Sequence, residues 1–167
     1  KRAPFGARRN DLQRLRDTDP ERYLASMNGE LRGLEAIAAE YADVPAVEGL
    51  RSQIGDEYLG MGHFARLKMR KPERALELYA LAGRSGSPLG ALGVADTCQF
   101  DLNDKARALA EFRRMREAAR QAKAPAGRTD ASLAEWAKRW LDQQVRFLET
   151  GRPFTGTVGR DDLEAAG

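Results

Sequence analysis

Only seven of the 167 residues are valine or isoleucine. β-Branched side chains are the usual material of sheets, because their stiffness suits a pleated, half-buried surface. A chain this poor in them has little from which to build a sheet, so the expected fold class is all-α. Leu, Ile, Val and Phe together supply 32 residues, close to the level below which chains stop burying enough apolar surface to fold. Alanine makes up much of the 42% apolar content and the net charge is only +3, so a folded body of closely packed helices is still expected. The length suits one domain with a core rather than two large ones.

The apolar residues recur at helical spacing. Thr18-Asp19-Pro20-Glu21 is a helix start, with a side-chain cap, proline at the first helical position and an acid in the first turn. Beyond it Tyr23, Leu24, Met27, Leu31, Leu34, Ile37, Ala38 and Tyr41 follow steps of three and four, which predicts one helical face running through Asn28-Gly29 to a stop at Asp43-Val44-Pro45. Val47, Leu50, Ile54, Tyr58, Met61 and Phe64 mark a second helix. Its glycines 55, 60 and 62 imply either close approach of another backbone or a helix end near Gly60–Gly62. A third helix begins at Lys71-Pro72-Glu73, carries Ala75, Leu76, Tyr79 and Ala82, and stops at Ser85-Gly86-Ser87-Pro88. A fourth is expected from Pro88 to about Phe100, with Leu89, Leu92, Ala95 and Gln99 on one face. Asn103 or Asp104 would cap a fifth, with Leu109, Phe112, Met115 and Ala119 inward. After a loop at 123–128, Thr129 or Asp130 would cap a sixth, with Leu133, Trp136, Trp140, Gln144 and Leu148 inward and Gly151 at its end. Residues 1–17 read as a basic tail or a short leading helix, 18–151 as the helical domain, and 152–167 as an extended tail.

No apolar run approaches the roughly 18–20 residues of a membrane span. The single cysteine, Cys98, and single histidine, His63, exclude an internal disulfide and a multi-histidine or cysteine–histidine metal centre, so no cofactor or metal is expected. The chain begins at Lys1 rather than Met, as a trimmed or mature product would, and both the cytoplasm and the bacterial periplasm fit its composition. The pI of about 9.2 has a local origin. Residues 1–16 hold six basic groups against Asp11, whereas the other 151 carry 22 basic and 24 acidic groups. The arm could hold phosphate or an acidic surface by charge alone, although exposed termini of this kind are commonly just solvated.

Two helix pairs share a pattern. Ala75-Leu76 with Tyr79 matches Ala108-Leu109 with Phe112 at an offset of 33, and Ile54-Gly55 matches Leu92-Gly93 at 38. Such self-similarity distinguishes a helical solenoid from a plain bundle. The first copy, Ile54-Gly55, Tyr58, Gly62, Ala75, Tyr79, Ala82-Gly83 and Gly86, resembles the tetratricopeptide-like helical repeats, in particular the Sel-one-like subclass. The second copy is degraded, with Asp96 at the tyrosine place and Phe100 at the glycine place. The resemblance covers about residues 46–122. It implies antiparallel helix pairs forming a short α-solenoid, with 18–44 and 130–150 as flanking or capping helices. It further implies a partner-binding groove lined by exposed positions on the first helix of each pair, here Ser52, Asp56, Leu59, Val94 and Thr97. A surface of one and a half to two repeats is shallow, which points to dimerisation or to further repeats.

Nothing in the sequence forms a catalytic pattern. Cys98 in an alanine-rich helix reads as a small core residue, and His63 as a helix-end or surface residue. The carboxylates Asp56, Glu57, Asp101 and Asp104 follow no spacing that acid–base work requires. Trp136 and Trp140 read as two indoles of a closing helix. Arg66, Lys68, Arg70, Lys71 and Arg74, and separately Arg113, Arg114, Arg116 and Arg120, form basic clusters that read as solvated faces or as docking sites for an acidic partner. The expected function is therefore that of a non-enzymatic adaptor of bacterial type that binds a protein or peptide. The alternative is a nucleic-acid or acidic-surface binder acting through the basic N-terminal arm.

Overall fold

The computed structural model of the chain describes residues 5–121 and 128–151, and for 5–9 and 128–133 it describes the helical backbone alone. Seven α-helices and one π-helical turn make up the described residues, which contain no strand. The scarcity of β-branched side chains thus has the consequence expected of it. Helices α1 (Phe5–Thr18), α2 (Pro20–Glu40), α3 (Ala46–Leu67), α4 (Pro72–Arg84) and the first turns of α5 (Leu89–Asp96) belong to one compact unit, Lys1–Gly93. A second unit, Val94–Gly167, holds the end of α5, the π turn (Thr97–Asp101), α6 (Lys105–Gln121) and α7 (Arg128–Thr150). Packing is mostly between successive helices: α1 on α2, α2 on α3 and α3 on α4 in the first unit, the π turn on α6 and α6 on α7 in the second.

Local signals set the helix ends. Asp19 caps α2, its carboxylate accepting from the Arg22 N–H at 3.1 Å, and Pro20 follows at the first helical position. The helix then runs unbroken through Asn28-Gly29. At the end of α4 the chain turns through Gly86, whose φ of +104° favours glycine. There the Ser87 N–H donates to the Ala82 carbonyl and the Gly86 N–H to that of Gly83, closing a Schellman motif. Asp104, rather than Asn103, caps α6 by accepting from the Arg107 N–H at 3.0 Å.

Two alternatives left open by the sequence are decided, and two boundaries differ from expectation. The segment offered as tail or leading helix is helical over Phe5–Thr18. Of the two readings of the α3 glycines, close approach holds at Gly55 and Gly62, and the helix does not end near Gly60–Gly62 but continues to Leu67. The expected fourth helix divides into α5 and the π turn; a π turn inserts one extra residue per turn and rotates the side chains that follow. Thr129 and Asp130 lie inside α7, so neither caps it. The expected loop at 123–127, the inward placement of Leu133 and the tail at 152–167 lie outside the described side chains or residues.

The first core is organised around Tyr79, which is fully buried. A Cβ at Gly62 on α3 would stand 2.5 Å from its ring, and a Cβ at Gly93 on α5 would stand 2.5 Å from it as well. Both helices come closer to the ring than any side chain would permit. Gly90 meets the α4 backbone in the same way, with its would-be Cβ 2.5 Å from the Gly83 nitrogen, and Gly55 meets the Ser87 nitrogen at 2.7 Å. Around this centre Leu24, Leu31, Ile54, Tyr58, Met61, Ala75, Leu78 and Ala82 are buried. Tyr23 meets Phe64 edge-on at 5.3 Å, and the Arg16 guanidinium lies over the same Phe64 ring at 5.2 Å, an attraction to the ring's negative face. The second unit buries Val94, Ala95, Thr97, Cys98, Ala108, Phe112, Leu141 and Val145.

Gly62→Ala and Gly93→Ala are each expected to destabilise the fold by about 1–3 kcal/mol, because the Tyr79 ring is walled in and cannot yield. Gly60→Ala meets nothing within 4 Å and is expected to stabilise by up to about 1 kcal/mol through helix propensity alone. Urea-unfolding midpoints of the three variants check the contrast.

Candidate functional site

Of the five groove positions expected from the repeat resemblance, Ser52 and Asp56 are exposed on α3 and Leu59 is half-buried there. The expectation that all five are exposed is corrected at two of them: Val94 and Thr97 are buried in the second unit. Thr97 opens the π turn, and its carbonyl accepts from the Leu102 N–H. Asp56 also has a structural task, since its carboxylate accepts from the buried Ser87 hydroxyl at 3.2 Å. A substitution at Asp56 therefore perturbs the α4–α5 turn as well as the surface.

The residues weighed for chemistry occupy separate places. The Tyr79 hydroxyl and His63 Nδ1 lie 2.8 Å apart, and the rings stand edge-to-face. His63 thus completes the polar end of the buried tyrosine while its own ring remains exposed. Cys98 is free and fully buried. Burial pushes its thiol above the ordinary value of 9.0, with Asp104 and Glu111 adding to the rise and Arg107 opposing it; a neutral buried thiol is a poor nucleophile. Burial likewise raises the Tyr58 phenol, helped by the Glu35 carboxylate, and raises that of Tyr23. Among the described residues no group of three His, Cys, Asp or Glu side chains could hold a metal ion, and no helix is long and apolar enough to cross a membrane.

Much of the two basic clusters is taken up in intramolecular pairs. Four of the five arginines of α6 are paired: Arg113 reaches Glu149 on α7 through two nitrogens at 3.2 and 2.7 Å, and Arg120 and Arg116 reach Asp142 at 3.1 and 3.6 Å. Arg114 turns back to Glu111 on its own helix. The row is a seam between α6 and α7 and not an open cationic face. In the other cluster Lys71 pairs with Glu21 and Arg74 with Glu77. The indoles of Trp136 and Trp140 stack at 6.5 Å, and Trp140 meets Phe112 edge-on, leaving Trp136 exposed.

Sequence reasoning missed the largest unspent feature. The α2 residues read as one core stripe divide into two. Leu24, Leu31 and Ala38, seven apart, form the buried seam, whereas Leu34, Ile37 and Tyr41 stand beside it in solvent, 38%, 47% and 52% exposed, and are continued by Val44 at 46%. A helical stripe wide enough for two neighbours is thus half used. The apolar surface left open is on the order of 300 Å², the scale at which a patch on a monomer often serves an interaction. On another side of α2, an open cavity of about 190 Å³ is lined by Glu35, Ala38, Arg51, Ile54, Arg84 and Ser85 among others. Its polar wall is tied down, with the Ser85 hydroxyl donating to Glu35 at 3.2 Å and Arg51 reaching the Ala38 carbonyl at 3.5 Å.

Comparison of the chain with protein-family models, curated proteins and solved structures found no match. The class that the fold defines is an all-α protein whose helices pack mostly in sequence.

The raised thiol and phenols predict a falling stability at alkaline pH. A group whose pKa is higher in the folded chain releases its proton first from the unfolded one, so its contribution is complete below the unfolded value and is lost as pH rises through the folded value. Urea midpoints are expected to hold steady to about pH 8 and to fall by about pH 10.5, above the ordinary thiol and phenol values. Cys98→Ala is expected to remove the earlier part of that fall.

Proposed function

We propose that the chain is a non-catalytic adaptor, a short helical-repeat module that holds a partner protein by one face. The observation that carries this reading is the open apolar stripe Leu34, Ile37, Tyr41 and Val44. Ordinary monomers scatter such residues singly, and a continuous ridge of them costs solubility unless something covers it.

The repeat itself is supported by position. Ala75 and Ala108, and Tyr79 and Phe112, related by the offset of 33, are each fully buried, so residues that match in sequence occupy matching environments in the two units. Gly55 and Gly93, the glycine places of the two first-type helices, are both sites where a Cβ has no room. α3 and α4 form the well-made pair of a Sel-one-like repeat, and α5 with the π turn and α6 forms the degraded one. In such an arrangement α2 is a flanking helix, and its uncovered stripe is the partner face. Ser52 and Leu59 on α3 supply a secondary polar contact rather than the centre of the site.

The test is reconstitution. The full chain is used as bait in nuclease-treated lysate, and any protein retained is purified and mixed back with it for size-exclusion chromatography with light scattering. The expected outcome is a complex of fixed stoichiometry. Retention of nucleic acid alone, or of nothing that survives reconstitution, would overturn the adaptor reading.

A further inference from the structure

We infer that the occupant of the α2 stripe is a cationic amphipathic helix of a partner protein. The inference rests on the adaptor reading and specifies the chemistry of its partner. The chain around the stripe is acidic: residues 30–48 contain five carboxylates, Glu30, Glu35, Glu40, Asp43 and Glu48, and a single base, Arg32. Glu40, Asp43 and Glu48 lie at the end of the stripe nearest α3, all exposed, and among the described residues none of the three has an ion-pair partner. The contrast with α6 is direct, since there Arg113, Arg114, Arg116 and Arg120 each pair with a carboxylate.

The shape selects a helix. Leu34, Ile37 and Tyr41, the last at the C-cap of α2, follow steps of three and four, so they form a ridge about 10 Å long, which Val44 follows in the turn beyond the helix. A ridge of that kind packs into the groove between the side-chain rows of another helix, which would present its own anchors at i, i+3 or i+4, and i+7. Its flanks would carry Lys or Arg to meet the acidic frame.

Two other occupants fit less well. In a two-fold pairing of two copies, the acidic frame would face its own image, and like charges brought together oppose docking. The C-terminal residues 152–167 carry two basic and three acidic groups, so they do not supply the complementary charge.

The experiment uses the full chain and two fluorescent peptides of about 18 residues, long enough for five turns. Both carry the same Leu/Ala stripe, one with Lys and Arg on its polar face and the other with Glu. Fluorescence anisotropy is expected to show the cationic peptide binding at least about tenfold more tightly, with affinity falling as salt is raised. Ile37→Ser with Tyr41→Ser is expected to weaken that binding about tenfold or more, and Glu40→Lys with Asp43→Lys to weaken it and flatten its salt dependence. All these positions are exposed, and circular dichroism with thermal melting verifies that each variant keeps the fold. Equal binding of both peptides, binding unchanged by Ile37→Ser with Tyr41→Ser, or no binding of either would overturn the inference. So would a concentration-dependent dimer in analytical ultracentrifugation that Ile37→Ser abolishes. A reconstituted complex alongside failed peptide binding would leave the adaptor reading standing and remove only the helix assigned here.

Discussion

The burial of one aromatic ring between two glycines sets the geometry of the first unit. Tyr79 projects from α4 with Gly62 of α3 against its ring and Gly93 of α5 against it as well, each too close to admit a Cβ. A large side chain can be enclosed this tightly only if its neighbours contribute bare backbone, so one bulky residue is matched by small ones on the facing helices. His63 then meets the hydroxyl at 2.8 Å, which satisfies the polar tip that would otherwise oppose burial. The remaining close approaches, Gly55 against Ser87 and Gly90 against Gly83, belong to the same three helices. A chain short of large apolar residues gains its core in this way, through intimate packing of few side chains rather than through volume.

Charge is spent unevenly across the molecule. On α6 Arg113, Arg116 and Arg120 close a seam with α7, where solvent screens each pair and the worth of any one is small. At the end of the apolar stripe Glu40, Asp43 and Glu48 have no ion-pair partner among the described residues. A net charge of +3 for the chain therefore conceals an acidic, apolar surface that composition alone would never suggest. The basic pI draws attention to the N-terminal arm, whereas the open apolar stripe ends among the exposed carboxylates Glu40, Asp43 and Glu48.

The sequence spoke most clearly where local chemistry decides the outcome. Asp19-Pro20 starts α2, Gly86 ends α4 and Asp104 caps α6, each by hydrogen bonds within a few residues of itself. The site was less legible for a physical reason. The periodicity of α2 reports that Leu34, Ile37 and Tyr41 share a side of the helix with Leu31 and Ala38, but it cannot say how wide a strip the neighbours cover. The repeat register puts Val94 and Thr97 on a surface, yet both are buried; the π turn that opens at Thr97 departs from that register only from there onward, and the burial of Val94 in α5 is decided by packing.

By itself the sequence determined the all-α class, the order of the helices and most of their ends, because β-branched scarcity, apolar spacing and capping chemistry act locally. It also marked the small residues of the repeat pattern. Tertiary structure alone decided what those glycines meet, that α3 continues past Gly62 to Leu67, and which half of the α2 stripe is buried. Those outcomes depend on which helix lies opposite and at what distance, and that is a property of packing between residues far apart in the chain.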